Sequence, residues 1–321
     1  MSLDARLVVT DSGLGGLSIC AALERRLRLE GRGRTLITYV NAWPFDGRGY
    51  NDLPDMAARA VVFGRALDRM AAWSPGRILI ACNTLSIVFA HTPFSRTAAV
   101  PVDGIIDAGV GLFAESLAAE PAAGLILLGT KTTIESGVHA GALVARGVDP
   151  HRIRAVHCHG LAGAIERDPD SAAVADLIAR CAARVRAADP GGMPVYAGLC
   201  CTHYGYVSDR LCAAFGAALG RSVQPLDPNA RMVDDLALES ADAPGADGVA
   251  TGVSGDGSAE VRGDVSTGGS PAGVAGHVSV EVISKVTLDE VARRAIARLV
   301  APVSPATAQA LLSYSHVPEL F

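Results

Sequence analysis

The sequence predicts an α/β protein made of two pseudosymmetric, Rossmann-like domains with mostly parallel sheets and a cleft between them. Short apolar runs alternate with helix-like stretches, which is the pattern of βαβ units. The strand-and-turn pattern of residues 7–12 recurs weakly at residues 125–130. Each half also contains a later apolar run that ends in a cysteine and small polar residues. We expect the first domain to comprise residues 1–97 plus 208–321, and the second residues 98–207.

The predicted elements follow one another in order along the chain. Each strand is short and apolar, and each helix is longer and amphipathic. In the first half they are strand Leu7–Thr10, helix Leu17–Leu29, strand Thr35–Val40, helix Ala57–Trp73 and strand Ile78–Ala81. The second half supplies strands Gly124–Leu128, Arg154–His157 and Val195–Leu199.

The last part of the chain differs in character. Residues 240–276 are rich in Gly, Ala, Ser, Asp and Val without a hydrophobic period, so they cannot bury enough apolar surface to fold. We interpret them as a flexible surface insertion. Order resumes with strand Val278–Ile283, and Thr287 with Glu290 predicts a capping box that opens a helix. A short helical piece follows at Thr307–Leu312.

Composition limits the classes of function. The chain has 321 residues and a net charge of −5, and half of it is hydrophobic, so one or two domains with proper cores are expected. Lys/Arg blocks are lacking, which argues against a nucleic-acid partner, and no apolar run approaches the roughly 18 residues of a membrane span. Residues 1–6 lack the hydrophobic region of a signal peptide, so we expect a cytoplasmic location.

The seven cysteines do not resemble a disulfide framework. An odd number is scattered over a long chain without zinc-ligand spacing, so we expect neither a disulfide framework nor a metal site. Most of these thiols are expected to be small buried side chains. They are Cys20, Cys82, Cys158, Cys181, Cys200, Cys201 and Cys212.

A glycine-rich turn, Asp11 to Gly16, joins the first strand to the first helix. A dinucleotide-binding loop is one interpretation, but Ser18 stands where a third glycine is needed, and Asn41 replaces the acidic residue after the second strand. We favour an anion site in which backbone N–H groups hold a substrate carboxylate. A tight turn capped by Asp11 or Ser12 is the plainer alternative.

A second hydroxyl-rich turn, residues 129–133, follows the strand at residues 124–128. It is similar to a phosphate loop, but its spacing from Gly124 is wrong for one. A hydroxyl cluster at a helix start suits a carboxylate equally well, and ordinary helix caps are the alternative for any one of its threonines.

Cys82 and Cys201 are the strongest chemical signal. Each follows an apolar run and opens a helix-like segment, where the helix N-terminus is expected to lower the thiol pKa. His203 lies two residues beyond Cys201, within reach of assisting it. Cys200 competes with Cys201, but alternation along a strand points neighbouring side chains to opposite faces. A lone thiol here would be structural; two suit the acid–base groups that flank one carbon during racemisation.

Four segments stand out together: residues 10–18 (TDSGLGGLS), 81–84 (ACNT), 129–136 (GTKTTIES) and 201–204 (CTHY). In this order and at these separations they resemble the signature segments of bacterial glutamate racemases, which belong to the aspartate/glutamate racemase superfamily. The resemblance spans residues 10–204. It implies a cofactor-independent racemase with one catalytic thiol in each of two α/β domains.

The resemblance also implies roles for individual residues. Cys82 and Cys201 are implied as the catalytic thiols, with Asp11, Glu166 and His203 in support. The substrate-binding set that it implies is Ser12, Pro44, Phe45, Asp46, Gly47, Asn83, Thr84, Thr130, Thr133 and Thr202.

The chain departs from the family pattern at several places. Residues 44–47 read Pro-Phe-Asp-Gly in place of Pro-Tyr-Gly, which removes a hydroxyl and adds the carboxylate of Asp46. Gly205 replaces the usual proline after the fourth segment, and His139 replaces an aromatic residue after the third. These departures bear on the substrate more than on the chemistry.

We expect an enzyme that interconverts L- and D-glutamate, with aspartate as the second choice, because many hydroxyl and amide donors suit two carboxylates. Its partner is then a small acidic amino acid, with a homodimer as a candidate assembly and no cofactor. A pyridoxal enzyme would need a Schiff-base lysine, and the sequence has only Lys131 and Lys285. The alternatives are another superfamily enzyme, such as a hydantoin racemase, a decarboxylase or a maleate-isomerase-like enzyme, and a catalytically silent binding paralogue.

Overall fold

The structure is a computed structural model that describes residues 5–31, 34–189, 194–241 and 277–321. Its paired strands are all parallel. The strands are β1 (Ala5–Asp11), β2 (Thr35–Asn41), β3 (Arg77–Ile80), β4 (Val102–Gly104), β5 (Gly124–Gly129), β6 (Ile153–His157), β7 (Val195–Cys200), β8 (Val223–Leu226), β9 (Val278–Ser284) and β10 (Ser315–His316). The predicted α/β class is confirmed.

The helices alternate with these strands. They are α1 (Leu17–Leu29), α2 (Met56–Ala71), α3 (Asn83–Phe89), α4 (Phe94–Thr97), α5 (Ile105–Ala119), α6 (Lys131–Glu135), α7 (Val138–Ala145), α8 (Leu161–Arg167), α9 (Ala172–Ala187), α10 (Ser208–Leu219), α11 (Pro228–Ala241), α12 (Glu290–Val300) and α13 (Pro305–Leu312). Short 3-10 helices span Tyr50–Asp52, Pro150–Arg152 and Thr202–Val207. Among the helices of the described residues, none combines the length and apolar character that a bilayer span requires.

The first sheet has the strand order β10-β9-β2-β1-β3-β4. β9 pairs with β2 along its whole length, so the C-terminal part of the chain completes the first half. Alternate residues of the strands face two separate cores. One core contains Leu17 of α1 and Leu311 of α13, and the other contains Phe63 of α2 and Leu85 of α3.

The second sheet has the order β6-β5-β7-β8 and is also covered on both faces. One face packs on α8, α9 and α10 through residues such as Ile178 and Phe215. The other packs on α5 and α7 through Phe113 and Leu143. Covering helices on both faces explain why β5 reads as a continuous apolar run rather than an alternating one.

The chain passes from the first sheet to the second and later returns, so it crosses between the sheets twice. β4 belongs to the first sheet and β8 to the second, so the chain leaves the first sheet after Gly104 and the second after Leu226. We propose that the domains divide at these crossings, later than the expected limits at residues 97 and 207. α5 follows the first crossing and contributes Ile105 to one core of the first sheet and Phe113 to a core of the second.

The helix after β9 begins differently from the prediction. The expected capping box of Thr287 and Glu290 is wrong, because Asp289 is the N-cap and its carboxylate accepts a hydrogen bond from the Ala292 N–H. Asp289 immediately precedes the first helical residue, which lets a short carboxylate reach that donor. The short C-terminal helix predicted at residues 307–312 is confirmed as α13.

Two of the seven cysteines are joined. Cys158, directly after β6, and Cys181, on α9, form a disulfide with their Cα atoms 5.6 Å apart. The sequence did not predict this bond, because it depends on the packing of α9 against β6, a proximity that the spacing of cysteines along the chain does not reveal. The insertion predicted at residues 240–276 lies outside the described residues, apart from residues 240 and 241 at the end of α11.

Candidate active site

A cavity of about 920 Å³ lies where the carboxyl ends of β1 and β3 face those of β5 and β7. Open α/β sheets bind ligands at this edge. The predicted site residues that line it are Asp11, Ser12, Asp46, Gly47, Cys82, Asn83, Thr84, Thr130, Thr133, Glu166, Cys201, Thr202 and His203. The fold therefore brings together side chains from all four sequence segments.

Pro44 and Phe45 do not line this cavity. Pro44 is buried, and the half-exposed ring of Phe45 lies 5.2 Å from the ammonium of Lys285. A cation beside an aromatic face is a stabilising contact in its own right. Their expected roles in binding substrate have no support from this geometry, whereas Asp46 and Gly47 remain at the edge of the cleft.

Cys82 is the N-cap of α3 and is almost fully buried. Its Sγ lies 3.2 Å from Ser12 Oγ and 3.5 Å from the Leu85 nitrogen, which donates to it. Burial, followed by the nearby carboxylate of Asp11, raises the pKa of the Cys82 thiol. The expected lowering of this pKa by the helix N-terminus is wrong, since desolvation outweighs the two hydrogen bonds.

Asp11 links the two halves of the site. Its Oδ2 accepts hydrogen bonds from the Gly16 N–H at 2.7 Å and from Thr202 Oγ1 at 2.8 Å. Burial raises the pKa of Asp11, while His203 works in the opposite direction. The carboxylate therefore ties the first glycine-rich turn to the segment that carries the second thiol.

Cys201 has a different environment from Cys82. Its Sγ lies 4.0 Å from His203 Nδ1, and His203 Nε2 lies 2.7 Å from Glu166 Oε2. Burial disfavours the imidazolium, but the contacts with Cys201 and Glu166 outweigh it and raise the pKa of His203 well above its ordinary value. A protonated His203 stabilises negative charge on the neighbouring sulfur.

Cys200 and Cys201 face different cores. Cys200 belongs to the cluster with Phe113, and Cys201 to the cluster with Phe215. The Cys200 thiol is fully buried and its pKa is raised by that burial. Both residues border the cavity, but only Cys201 has His203 as a partner.

The glycines of the first turn allow the two halves to approach closely. A Cβ at Gly15 would overlap Thr202 Oγ1 and lie 2.6 Å from His203 Nδ1, and one at Gly13 would lie 2.5 Å from Glu166 Oε2. The Leu14 N–H donates to Glu166 Oε2 at 2.8 Å. This N–H and that of Gly16 therefore bind the protein's own carboxylates. The prediction that the backbone N–H groups of this turn hold a substrate carboxylate is wrong for these two groups.

Three hydroxyls meet across the cleft. Thr84 Oγ1 of the first half lies 3.2 Å from both Thr130 Oγ1 and Thr133 Oγ1 of the second, which are 3.0 Å apart. Thr130 is also the N-cap of α6. Each hydroxyl donates one proton and accepts two, so the group can turn its donors toward an anion in the cavity.

Sequence reasoning missed several residues that line the cavity. Tyr50, Asn51 and Arg59 follow the Pro-Phe-Asp-Gly segment, and Asn51 Oδ1 accepts a 2.6 Å hydrogen bond from Thr132 across the cleft. The signal in the sequence was the group of polar side chains that follows Gly47, close to a segment already assigned to substrate binding. The departure at Gly205 has a local cause, since a Cβ there would lie 2.6 Å from an Asp227 oxygen.

Two parallel α/β halves face one cleft, and a buried cysteine of each half lines it. The model of the Asp/Glu/Hydantoin racemase family matches residues 10–233. The chain belongs to this family and is an enzyme of the isomerase class.

Solved structures with the same fold cover nearly the whole chain. Glutamate racemase isoform RacE1 from Bacillus anthracis is 16% identical, with a TM-score of 0.59 over 98% of this chain and 96% of its own. Glutamate racemase from Francisella tularensis in complex with D-glutamate is 16% identical, with a TM-score of 0.60 over 99% and 98%. The Escherichia coli glutamate racemase, in complex with L-glutamate and an activator, is 18% identical, with a TM-score of 0.57 over 93% of this chain and 93% of its own. No curated protein matches the sequence.

Proposed function

We propose that this racemase interconverts the enantiomers of a small acidic amino acid, glutamate ahead of aspartate, without a cofactor and with Cys82 and Cys201 as its two bases. The observation that carries the proposal is that a thiol from each half lines one cavity, together with hydroxyl side chains from both halves. Racemisation removes a proton from one face of the α-carbon and delivers another to the opposite face, so it needs two acid–base groups.

The unequal environments of the two thiols support a starting state in which one is a thiolate and the other a thiol. His203 beside Cys201 favours the thiolate there, whereas the raised pKa of Cys82 keeps its proton. The Cys201 thiolate takes the α-proton, and the electron pair of that C–H bond stays on the substrate as a carbanion. Cys82 then donates its S–H proton to the opposite face and keeps the electron pair of that bond. The reverse reaction exchanges the two roles.

The carbanion needs stabilisation from fixed donors, because no electron sink is proposed. Negative charge spreads onto the substrate's α-carboxylate during proton removal. The hydroxyls of Thr84, Thr130 and Thr133 line the same cavity, whereas the Thr202 hydroxyl donates its proton to Asp11. Donors that the fold holds in place stabilise this charge more in the transition state than in the ground state.

An acidic substrate is supported by the number of donors and opposed by one carboxylate. A neutral side chain would leave buried donors unpaired, at roughly 1–3 kcal/mol each. Asp46 is exposed at the cleft edge and would favour a cationic side chain. The racemases from Francisella tularensis and Escherichia coli were solved with D- and L-glutamate, which supports the acidic choice.

The setting of the reaction is part of the proposal. We propose that the enzyme acts in the cytoplasm as a homodimer and supplies D-glutamate for peptidoglycan synthesis, in keeping with its resemblance to bacterial glutamate racemases. Light scattering of the purified chain measures the assembly.

The test is racemisation by the purified chain without added cofactor. Circular dichroism follows L-Glu, D-Glu, L-Asp and a panel of neutral and basic amino acids. Cys82→Ala and Cys201→Ala should each abolish racemisation, while Cys200→Ala keeps most of it. Cys212→Ala, a half-buried thiol on α10 that does not line the cavity, is the control.

The outcomes distinguish the two-base mechanism, the acidic substrate and the alternative of a binding paralogue. Full activity in Cys82→Ala or Cys201→Ala would exclude the two-base mechanism. Turnover of a basic amino acid, with none of glutamate or aspartate, would refute the substrate and implicate Asp46. No turnover of any amino acid would favour a binding paralogue.

A further inference from the structure

Within the described part of the chain, only a few buried side-chain nitrogens and oxygens lack a hydrogen-bond partner. Three of them belong to residues that line the cavity: Tyr50 Oη, Arg59 Nε and Asn83 Nδ2. All three atoms carry protons that they can donate. Buried polar groups are nearly always paired in a working protein, so three orphan donors on one cavity indicate a ligand that accepts hydrogen bonds.

The hydroxyl of Tyr50 is held rigidly. Tyr50 is 2% exposed, and its ring packs edge-on against Phe63 with the centroids 6.1 Å apart. Burial, and then the charge that Cys82 can carry, raise the pKa of Tyr50, which keeps this hydroxyl protonated. The chain thus has a buried phenol close to Cys82, although the tyrosine of the family pattern is replaced by Phe45.

Arg59 and Asn83 are each fixed through one end. Arg59 donates from Nη2 to the Leu53 carbonyl at 3.3 Å, which leaves Nε without a partner. Asn83 Oδ1 lies 3.0 Å from His139 Nε2. Burial lowers the pKa of His139 to about 4, so His139 is a neutral imidazole that donates from Nε2 and leaves the amide N–H₂ of Asn83 for the cavity.

We propose that Tyr50 and Arg59 determine the specificity of this site by holding the side-chain carboxylate of the substrate beside Cys82. The inference rests on the proposed racemase function. A carboxylate has two oxygens with about four acceptor positions, and a guanidinium is the donor that matches it best. An amide side chain would bring its own donors against the guanidinium, and an ammonium side chain would add like charge.

The proposal predicts a loss of affinity rather than of chemistry. Arg59→Gln removes the charge, and Tyr50→Phe removes only the hydroxyl. Each should raise KM for L-glutamate by at least about tenfold while kcat changes less than about threefold, as expected for a charge-assisted contact made in both ground and transition states. The preference for L-glutamate over L-glutamine should fall by the same factor. Arg59→Lys should recover part of the affinity.

Matched controls test the position of each group. Arg69→Gln changes an exposed arginine on the same helix α2, and Tyr196→Phe removes a hydroxyl that donates to Glu120 away from the cavity. Neither should change KM. Melting curves monitored by circular dichroism verify that every variant is folded.

Binding of glutarate separates this inference from the proposed function. Glutarate has two carboxylates but no α-amino group, so titration calorimetry measures its affinity whether or not the chain racemises anything. Weaker binding to Arg59→Gln and Tyr50→Phe than to the controls supports the inference, even if no amino acid is turned over. Glutarate binding that is absent from the parent chain, or equal in all variants, would overturn it, even if the chain racemises glutamate.

Discussion

The surroundings of Cys82 and Cys201 differ although both thiols follow a parallel strand. Cys82 has a hydroxyl and a backbone N–H as partners and a carboxylate nearby, and its pKa is raised. Cys201 has the imidazole of His203, which Glu166 in turn holds. The similar positions of the two strands therefore set where the sulfurs lie, whereas the neighbouring side chains give the two sulfurs different electrostatic surroundings.

The pseudosymmetry of the fold therefore does not extend to the electrostatics around the two thiols. The glycine-rich turn after β1 contacts the Cys201 side through Leu14 and Gly15, so the first half helps to build the second thiol's environment. Within the described residues no imidazole bonds to the Cys82 sulfur in return, and His139 of the second half contacts the neighbouring Asn83 instead. Five predictions test or refine the contrast.

Gly15→Ala should have the largest effect. Its Cβ would overlap Thr202 and displace His203, so kcat for racemisation should fall by about 10²-fold or more. Gly141→Ala on α7 is the control, because nothing lies within 4 Å of its Cβ. There, alanine should keep the activity and stabilise the helix by up to about 1 kcal/mol. Equal activity of the two variants would mean that the close approach is not needed.

His203→Gln should cost more activity than Ser12→Ala. Loss of an acid–base partner lowers kcat by about 10²-fold or more, whereas loss of one neutral hydrogen bond to Cys82 costs about tenfold. Steady-state kinetics of both variants measure this ratio. A ratio near one would show that the two sides are supported equally.

The stability of the Cys201 side should depend on pH. Because folding raises the pKa of His203, the stabilisation is fully present below its unfolded value of 6.5 and is lost as the pH rises through the folded value. The difference in unfolding free energy between the parent chain and His203→Gln should therefore shrink above pH 6.5. Glu166→Gln, which removes one cause of the raised pKa, should weaken the same trend. A constant difference across pH would contradict a charged His203.

The disulfide should stabilise the second half only. Cys158 and Cys181 are separated by 23 residues, and closing such a loop contributes about 3 kcal/mol in the unfolded-state entropy model. Cys181→Ala should lower the free energy of unfolding in urea by that amount, and a reductant should lower that of the parent chain equally. Reductant should not act further on Cys181→Ala. Seven free thiols in the unreduced, unfolded chain, rather than the five expected, would exclude the bond.

Asp289→Ala should have the smallest effect. Loss of the N-cap of α12 costs about 1 kcal/mol of stability, measured by urea unfolding. Thr287→Ala, the residue first expected to cap this helix, is the control and should cost less. A larger loss of unfolding free energy in Thr287→Ala than in Asp289→Ala would support the capping box predicted from the sequence.

Local patterns predicted the strands and helices well where they are long and periodic. α1 spans Leu17–Leu29 as expected, and β2 extends the predicted strand only to Asn41. The three-residue strand β4 and the strand β8, with exposed residues and Pro225, gave little periodic signal and were missed. Short elements are decided by the neighbours that pair with them, which a single sequence does not display.

The sequence by itself determined the α/β class, the placement of Cys82 and Cys201 at strand ends and the motifs that meet in the cleft, because periodicity and turn chemistry are local. Tertiary structure alone decided the raised pKa of Cys82, the Cys158–Cys181 bond and the position of Tyr50 and Arg59 in the cavity lining. Burial and partners depend on segments far apart along the chain, and only packing brings them into contact.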